Sequence, residues 1–133
     1  MFAKLTISHI LRLGLTGISL YVLSGIVPVS LSHWQTGNAC PNLGPIPACY
    51  VVSVCYAAMG IAALLWNKPL NWLFFAGSTP VILLALVGSV LELTGYPTCP
   101  RLDSGFPLCY LSLFVGIMML VGFLYTLKCE NRQ

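Results

Sequence analysis

Four long stretches of this chain carry no charged residue: Leu13 to Leu31, Cys49 to Trp66, Leu73 to Leu91 and Leu108 to Leu127, each 18 to 20 residues long. Lipid offers no hydrogen-bond partner, so a backbone crossing it must satisfy its own N–H and C=O groups, and a single segment does this as a helix. About 20 residues at about 1.5 Å each match a hydrocarbon core about 30 Å thick. The expected fold is therefore all-α, a four-helix transmembrane bundle. Composition agrees: of 133 residues, 58% are hydrophobic and 7% charged, a balance foreign to water-soluble domains.

The first run follows Lys4 and Arg12 and ends near the small residues Ser30 and Ser32, as a secretory signal does. It is longer than the usual 7 to 15 apolar residues of such a signal, so it is expected to stay in place as a span. Five of the six basic residues, Lys4, Arg12, Lys68, Lys128 and Arg132, fall on one side of a four-span arrangement. The positive-inside rule then puts both termini in the cytoplasm and the other two loops on the non-cytoplasmic side. The sixth, Arg101, lies in an outer loop two residues from Asp103, which is expected to offset its charge. A net charge of +3 reports topology here; nucleic acid is not an expected partner, because no basic patch on a folded soluble surface is available.

The cytoplasmic turn from Trp66 to Trp72 holds Asn67, Pro69 and Asn71 between two tryptophans, the pattern of an interfacial hairpin with aromatic anchors. Pro28 and Pro80 fall within spans and are expected to kink them. Gly14, Gly17, Gly25, Gly60, Gly88, Gly116 and Gly122, with the Ala58/Ala62 and Ala85/Ser89 pairs, allow close helix approach within the bundle or against a partner.

The most specific pattern is a repeat. Thr36-Gly37, Cys40-Pro41 and Ile46-Pro47-Ala48-Cys49-Tyr50 return as Thr94-Gly95, Cys99-Pro100 and Phe106-Pro107-Leu108-Cys109-Tyr110, 58 to 60 residues later. Each copy covers a helix end, an outer loop and the next helix start. One integral membrane domain, residues 1–133, is thus expected to consist of two tandem helix-loop-helix hairpins, about 1–67 and 68–133, in parallel repeat about an axis along the membrane normal.

Cys40, Cys49, Cys99 and Cys109 lie in the outer loops, where an oxidising compartment permits disulfides. One reading pairs Cys40 with Cys49 and Cys99 with Cys109 as structural staples, each closing a loop of about ten residues for roughly 3 kcal/mol. Cys55 reads as a small apolar residue within the second span, and Cys129 as a free cytoplasmic thiol. A second reading is redox relay. Four membrane helices with one cysteine pair after the first span and another before the fourth resemble, in layout, the bacterial disulfide-generating oxidases that pass electrons to quinone. The stretch from Cys40-Pro41 through Cys49 to Ser53 is similar to the loop of vitamin K epoxide reductases. That resemblance implies a thiol-disulfide oxidoreductase with quinone as its cofactor, working through mobile, exposed sulfurs. No C-x-x-C occurs anywhere in the chain. A third reading, a thiolate metal site completed by His33, lacks the close ligand pairs of zinc and copper sites, and no metal is expected.

The remaining candidates for partner or ligand contact are His33, Trp34, Glu92, Arg101 and Asp103. Glu92 stands one residue past the third uncharged run, and the repeat alignment sets it opposite Trp34, beside His33. Ionisable residues deep in a membrane are functional candidates, whereas those at its boundary are commonly hydrated; a shared outer vestibule binding a partner, a proton or a quinone headgroup is the alternative for Glu92 and His33. With three acidic residues in all, proton pumping or divalent-cation transport has little to work with. No catalytic residue and no cofactor is assigned. The sequence reads as a small accessory, stabilising or assembly subunit in a bacterial inner membrane or an equivalent one, with membrane lipid and larger integral membrane subunits as its partners.

Overall fold

The computed structural model describes residues 2–37, 40–65, 67–96, 99–101 and 103–132. Trp66, expected to anchor the cytoplasmic turn, lies outside them. Four helices, α1 (Phe2–Thr36), α2 (Ala48–Leu64), α3 (Asn71–Leu93) and α4 (Leu108–Asn131), form the body of the chain. Three segments, Thr6–Thr36, Lys68–Leu93 and Leu108–Asn131, are long and apolar enough to cross a membrane. α2 has 17 residues, about 26 Å of helix, and is the shortest of the four. α1 has 35, about 52 Å, so it extends well beyond a hydrocarbon core.

Helix ends are written in the sequence. Gly37 takes a φ of 73° and its N–H donates to the His33 carbonyl at 2.7 Å, which stops α1. At the end of α3, Gly95 has a φ of 92°; its N–H donates to Glu92 O and the Tyr96 N–H to Leu91 O, both at 3.1 Å. This double bond pattern is a Schellman stop, and glycine adopts its left-handed backbone without Cβ strain. A 3-10 turn, Lys68–Leu70, joins α2 to α3. Pro28 and Pro80 sit inside α1 and α3.

α1 packs on α2 and α4, and α3 completes the ring by packing on the same two helices. The core consists of Leu15, Tyr56, Met59, Ala62, Ala63, Phe74, Val81, Met119 and Phe123. Phe74 of α3 and Phe123 of α4 stack with centroids 3.9 Å apart and planes 9° from parallel. Arg12 of α1 lies 5.9 Å from the Phe123 centroid and donates through Nε and Nη2 to Glu130 Oε1 of α4, at 3.1 and 2.7 Å. This pair joins the beginning of the chain to its end. Its arginine side chain is 5% exposed, so the pair is held largely away from water.

In lipid the helices gain little from hiding apolar surface from one another, so close packing and interhelical hydrogen bonds decide which faces meet. The Ser19 hydroxyl of α1 donates to the Tyr56 carbonyl of α2 at 2.6 Å. Gly77 of α3 lies so near α2 that an added Cβ would stand 2.8 Å from the Cys55 carbonyl oxygen. That backbone cannot yield as a flexible side chain would. Gly77→Val is expected to destabilise the bundle by about 2 kcal/mol and to lower its denaturation midpoint in mild detergent. Gly14→Ala, whose new Cβ meets nothing within 4 Å, is expected to leave that midpoint in place or to raise it, since alanine favours helix over glycine by about 1 kcal/mol.

Candidate functional site

The residues that carry chemistry gather at the end of the bundle where α1 passes to α2 and α3 to α4. Disulfides join Cys40 to Cys49 and Cys99 to Cys109, each with Cα atoms 6.0 Å apart. Cys49 and Cys109 are each the second residue of a helix, so each bond ties the beginning of a loop to the first turn of the helix that follows it. Cys40 is 7% exposed and Cys99 8%. Gly88 of α3 makes room for the second bond: a Cβ there would approach Cys109 Sγ to 2.8 Å and Cys99 Sγ to 3.0 Å.

Both loops use the same backbone closures. The Ala48 N–H donates to Pro41 O at 2.9 Å, and the Leu108 N–H to Pro100 O at 3.1 Å. In the first loop, strands β1 (Asn42–Leu43) and β2 (Ile46–Pro47) pair antiparallel, with Asn42 opposite Pro47; in the second, Arg101 bridges Pro107. Pro47 and Pro107 then enter α2 and α4 with extended backbone, φ −65° and −71°. The Tyr50 hydroxyl donates to Ser30 O at 3.3 Å, and the Tyr110 hydroxyl to Ser89 O at 3.5 Å. These matching contacts set Ser30 level with Ser89, and therefore His33, not Trp34, level with Glu92.

His33 and Glu92 each hold their own loop. The Cys40 N–H donates to His33 Nδ1 at 3.2 Å, and His33 is 8% exposed, its ring edge-on to Tyr50 with centroids 6.3 Å apart. Arg101 Nη2 donates to Glu92 Oε1 at 2.5 Å. Glu92 is thus the partner of Arg101, nine residues away, where proximity in sequence pointed to Asp103; among the described residues Asp103 makes no ion pair and is exposed. The Glu92 side chain is 9% exposed and its Oε2 is buried without a hydrogen-bond partner. Among the described residues no hydrogen bond links His33 to Glu92. Trp34 is 82% exposed and turned outward.

The four loop sulfurs are engaged with one another, so none is a thiolate available to a metal. Among the described residues no three His, Cys, Asp or Glu side chains gather as a metal site. Cys55 and Cys129 are unbridged and half-buried. At the opposite end of the bundle a cleft of about 230 Å³ is lined by His9, Arg12, Leu13, Thr16, Ala63 and Leu64. No protein-family model, curated protein or solved structure matches the chain.

Relay chemistry needs a sulfur within reach of an attacking thiolate; Cys40 and Cys99 are buried, and Cys49 and Cys109 are half-buried. The arrangement supports a mechanical role for the bonds. Replacing Cys40 and Cys49 together with serine is expected to cost about 3 kcal/mol of stability, read as a lower unfolding midpoint in detergent. The Cys99→Ser, Cys109→Ser pair is expected to cost a similar amount.

Proposed function

We propose that this chain is an accessory subunit of a larger membrane complex. In this reading it crosses the membrane four times as two duplicated hairpins, with both termini in the cytoplasm and the stapled loops outside, in a bacterial inner membrane or an equivalent one. Lys68, Arg12, Lys128 and Arg132 favour that orientation, since they collect at the end opposite the disulfides. The matching loop closures favour the duplication.

The observation that carries the docking role is a division among the glycines. Gly60, Gly77, Gly88, Gly116 and Gly122 face other helices, where an added Cβ would meet a neighbouring atom at 2.8 to 3.3 Å. Gly14, Gly17 and Gly25 of α1 meet nothing within 4 Å. With Tyr21, 81% exposed, they follow a spacing of three, four and four residues, which is one face of a helix. Glycine weakens a helix by about 1 kcal/mol relative to alanine, and acyl chains gain nothing from it. A second transmembrane helix does gain, because its backbone can come close. The occupant of this face is a helix of a larger membrane subunit, and the bundle with its stapled loops is the rigid body that supports it.

A photoreactive amino acid at Tyr21, in the native membrane, is expected to capture one discrete protein. The same group at Val121 of α4, 57% exposed, is expected to capture lipid alone. Gly17→Leu should abolish both the Tyr21 adduct and co-purification in mild detergent while the bundle stays folded. Equal capture at the two positions, or a chain that is consistently alone, would refute the reading.

A further inference from the structure

We propose that the cleft between α1 and α2, at the basic end of the bundle, seats an anionic phospholipid, with its phosphate beside His9 and Arg12 and an acyl chain leaving between Leu13 and Leu64. The inference rests on the duplicated, four-span reading proposed above and adds a ligand to it. It begins with a comparison of the two hairpins. Ser30 and Ser89 are 59 residues apart and Tyr50 and Tyr110 are 60 apart, and the tyrosine hydroxyls that donate to Ser30 O and Ser89 O set both hairpins in one register. Burial follows that register: Leu15 matches Phe74, Ser19 matches Ser78 and Met59 matches Met119, all six buried.

In the same register Thr16 answers to Phe75, and Ala63 to Phe123. The two phenylalanine rings meet edge to face with centroids 5.7 Å apart and fill the space between α3 and α4. Threonine and alanine carry no ring, and the corresponding place between α1 and α2 is a cleft of about 230 Å³. Packed helices leave few voids larger than a water molecule, so a space kept open in one hairpin and filled with rings in the other calls for an occupant.

The lining decides which occupant. His9 and Arg12 precede the first uncharged run, whereas Leu13 and Thr16 lie within it. Ala63 and Leu64 are the last two residues of α2, so the cleft spans the level at which charged sequence gives way to uncharged, the headgroup boundary of a bilayer. The Thr16 hydroxyl donates to the Arg12 carbonyl at 3.0 Å, which confines the polar wall to the level of His9 and Arg12. Leu13 is 65% exposed and Leu64 59%; they flank the opening, which therefore faces hydrocarbon. A molecule charged at one end and apolar at the other fits such a site.

The sign of the charge follows from this end of the bundle. Arg12 keeps its pair with Glu130, the only acidic residue at that end, and Lys68, Lys128 and Arg132 add positive charge beside it. The partial negative charge at the C-terminal end of α2 opposes an anion weakly, and three surplus cations outweigh it. Arginine also makes charge-assisted hydrogen bonds to phosphate. His9, Arg12, Leu13 and Thr16 form a stripe of α1 separate from Gly14, Gly17, Tyr21 and Gly25, so the lipid and the proposed partner helix do not compete.

The test uses the purified full-length chain in phosphatidylcholine nanodiscs doped with phosphatidylglycerol that bears a diazirine on its acyl chain near the headgroup. After illumination the adducts are mapped by peptide mass spectrometry, with the adduct near Val121 on the open face of α4 as the measure of bulk lipid. The label is expected on the peptides holding Leu13 and Leu64, at least about fivefold above the yield from equally labelled phosphatidylcholine, the factor one cation near a charged surface commands. Thr16→Phe and Ala63→Phe give the first hairpin the rings of the second. Each is expected to lower the cleft adduct at least about fivefold and to leave the adduct near Val121 unchanged. Inorganic phosphate is expected not to compete. Equal labelling by the two lipids, or an adduct that survives both substitutions, would overturn the proposal, and competition by inorganic phosphate would replace the lipid with a free anion. If Ala63→Phe fails to fold, Thr16→Phe decides alone, since Thr16 is half-buried and Phe75, its counterpart, is 36% exposed. No partner subunit enters this assay: a cleft adduct that persists while the Tyr21 probe captures lipid alone would sink the docking reading and support this one.

Discussion

Each disulfide binds the start of a loop to the first turn of the helix beyond it, and the rest of the bundle is arranged around those two fixed corners. Helices in lipid have no hydrophobic effect to press them together, so the geometry of a hairpin must come from its connection. Here the connection is short, rich in proline, closed by the Pro41–Ala48 and Pro100–Leu108 backbone bonds and locked by sulfur. α1 is thereby held against α2 and α3 against α4. The two hairpins then meet through contacts that tolerate little variation: the Cys55 backbone at Gly77, the stacked rings of Phe74 and Phe123, and the Arg12–Glu130 pair that returns the last helix to the first.

Much of this was legible in the sequence, for definite reasons. Uncharged runs of near-constant length mark helices because charge is costly in lipid, and Thr-Gly before each loop marks a helix stop because only glycine relaxes at that backbone angle. The pairing of Cys40 with Cys49 and Cys99 with Cys109 was one of three readings the sequence allowed, and the structure has those two bonds. Other features were not legible. The register of Glu92 against His33 rests on the tyrosine hydroxyls of α2 and α4 reaching back to Ser30 and Ser89, contacts between residues about 20 apart that no local pattern encodes. Nor could the sequence show that Arg101 turns back to Glu92 and away from Asp103, or that His33 accepts a backbone N–H.

The glycines illustrate the same limit from another side. In a water-soluble helix the polar face identifies what is outside, but α1 buries Ser8, Arg12, Ser19, Ser30 and His33 and exposes Ile10, Leu13, Leu20 and Leu31, so that rule does not distinguish Gly14 from Gly60. Only packing separates the glycines that seat a neighbour from those on α1 that face outward. That separation, with the burial of Cys40 and Cys99, turns the functional reading from electron relay toward docking. The disulfides tie each loop to the helix that follows it, and α1 leaves the face of Gly14, Gly17 and Gly25 open, which the proposed reading fills with another helix.

The account stands on the bonds being fixed within each loop at neutral pH, and mapping them by mass spectrometry without prior reduction, followed by titration with a glutathione redox buffer, tests this most directly. It predicts two species only, Cys40–Cys49 and Cys99–Cys109, both resisting reduction until the buffer is strongly reducing. A bond between the loops, such as Cys49 to Cys99, or a mixed population that shifts readily with the buffer, would contradict it and restore the relay.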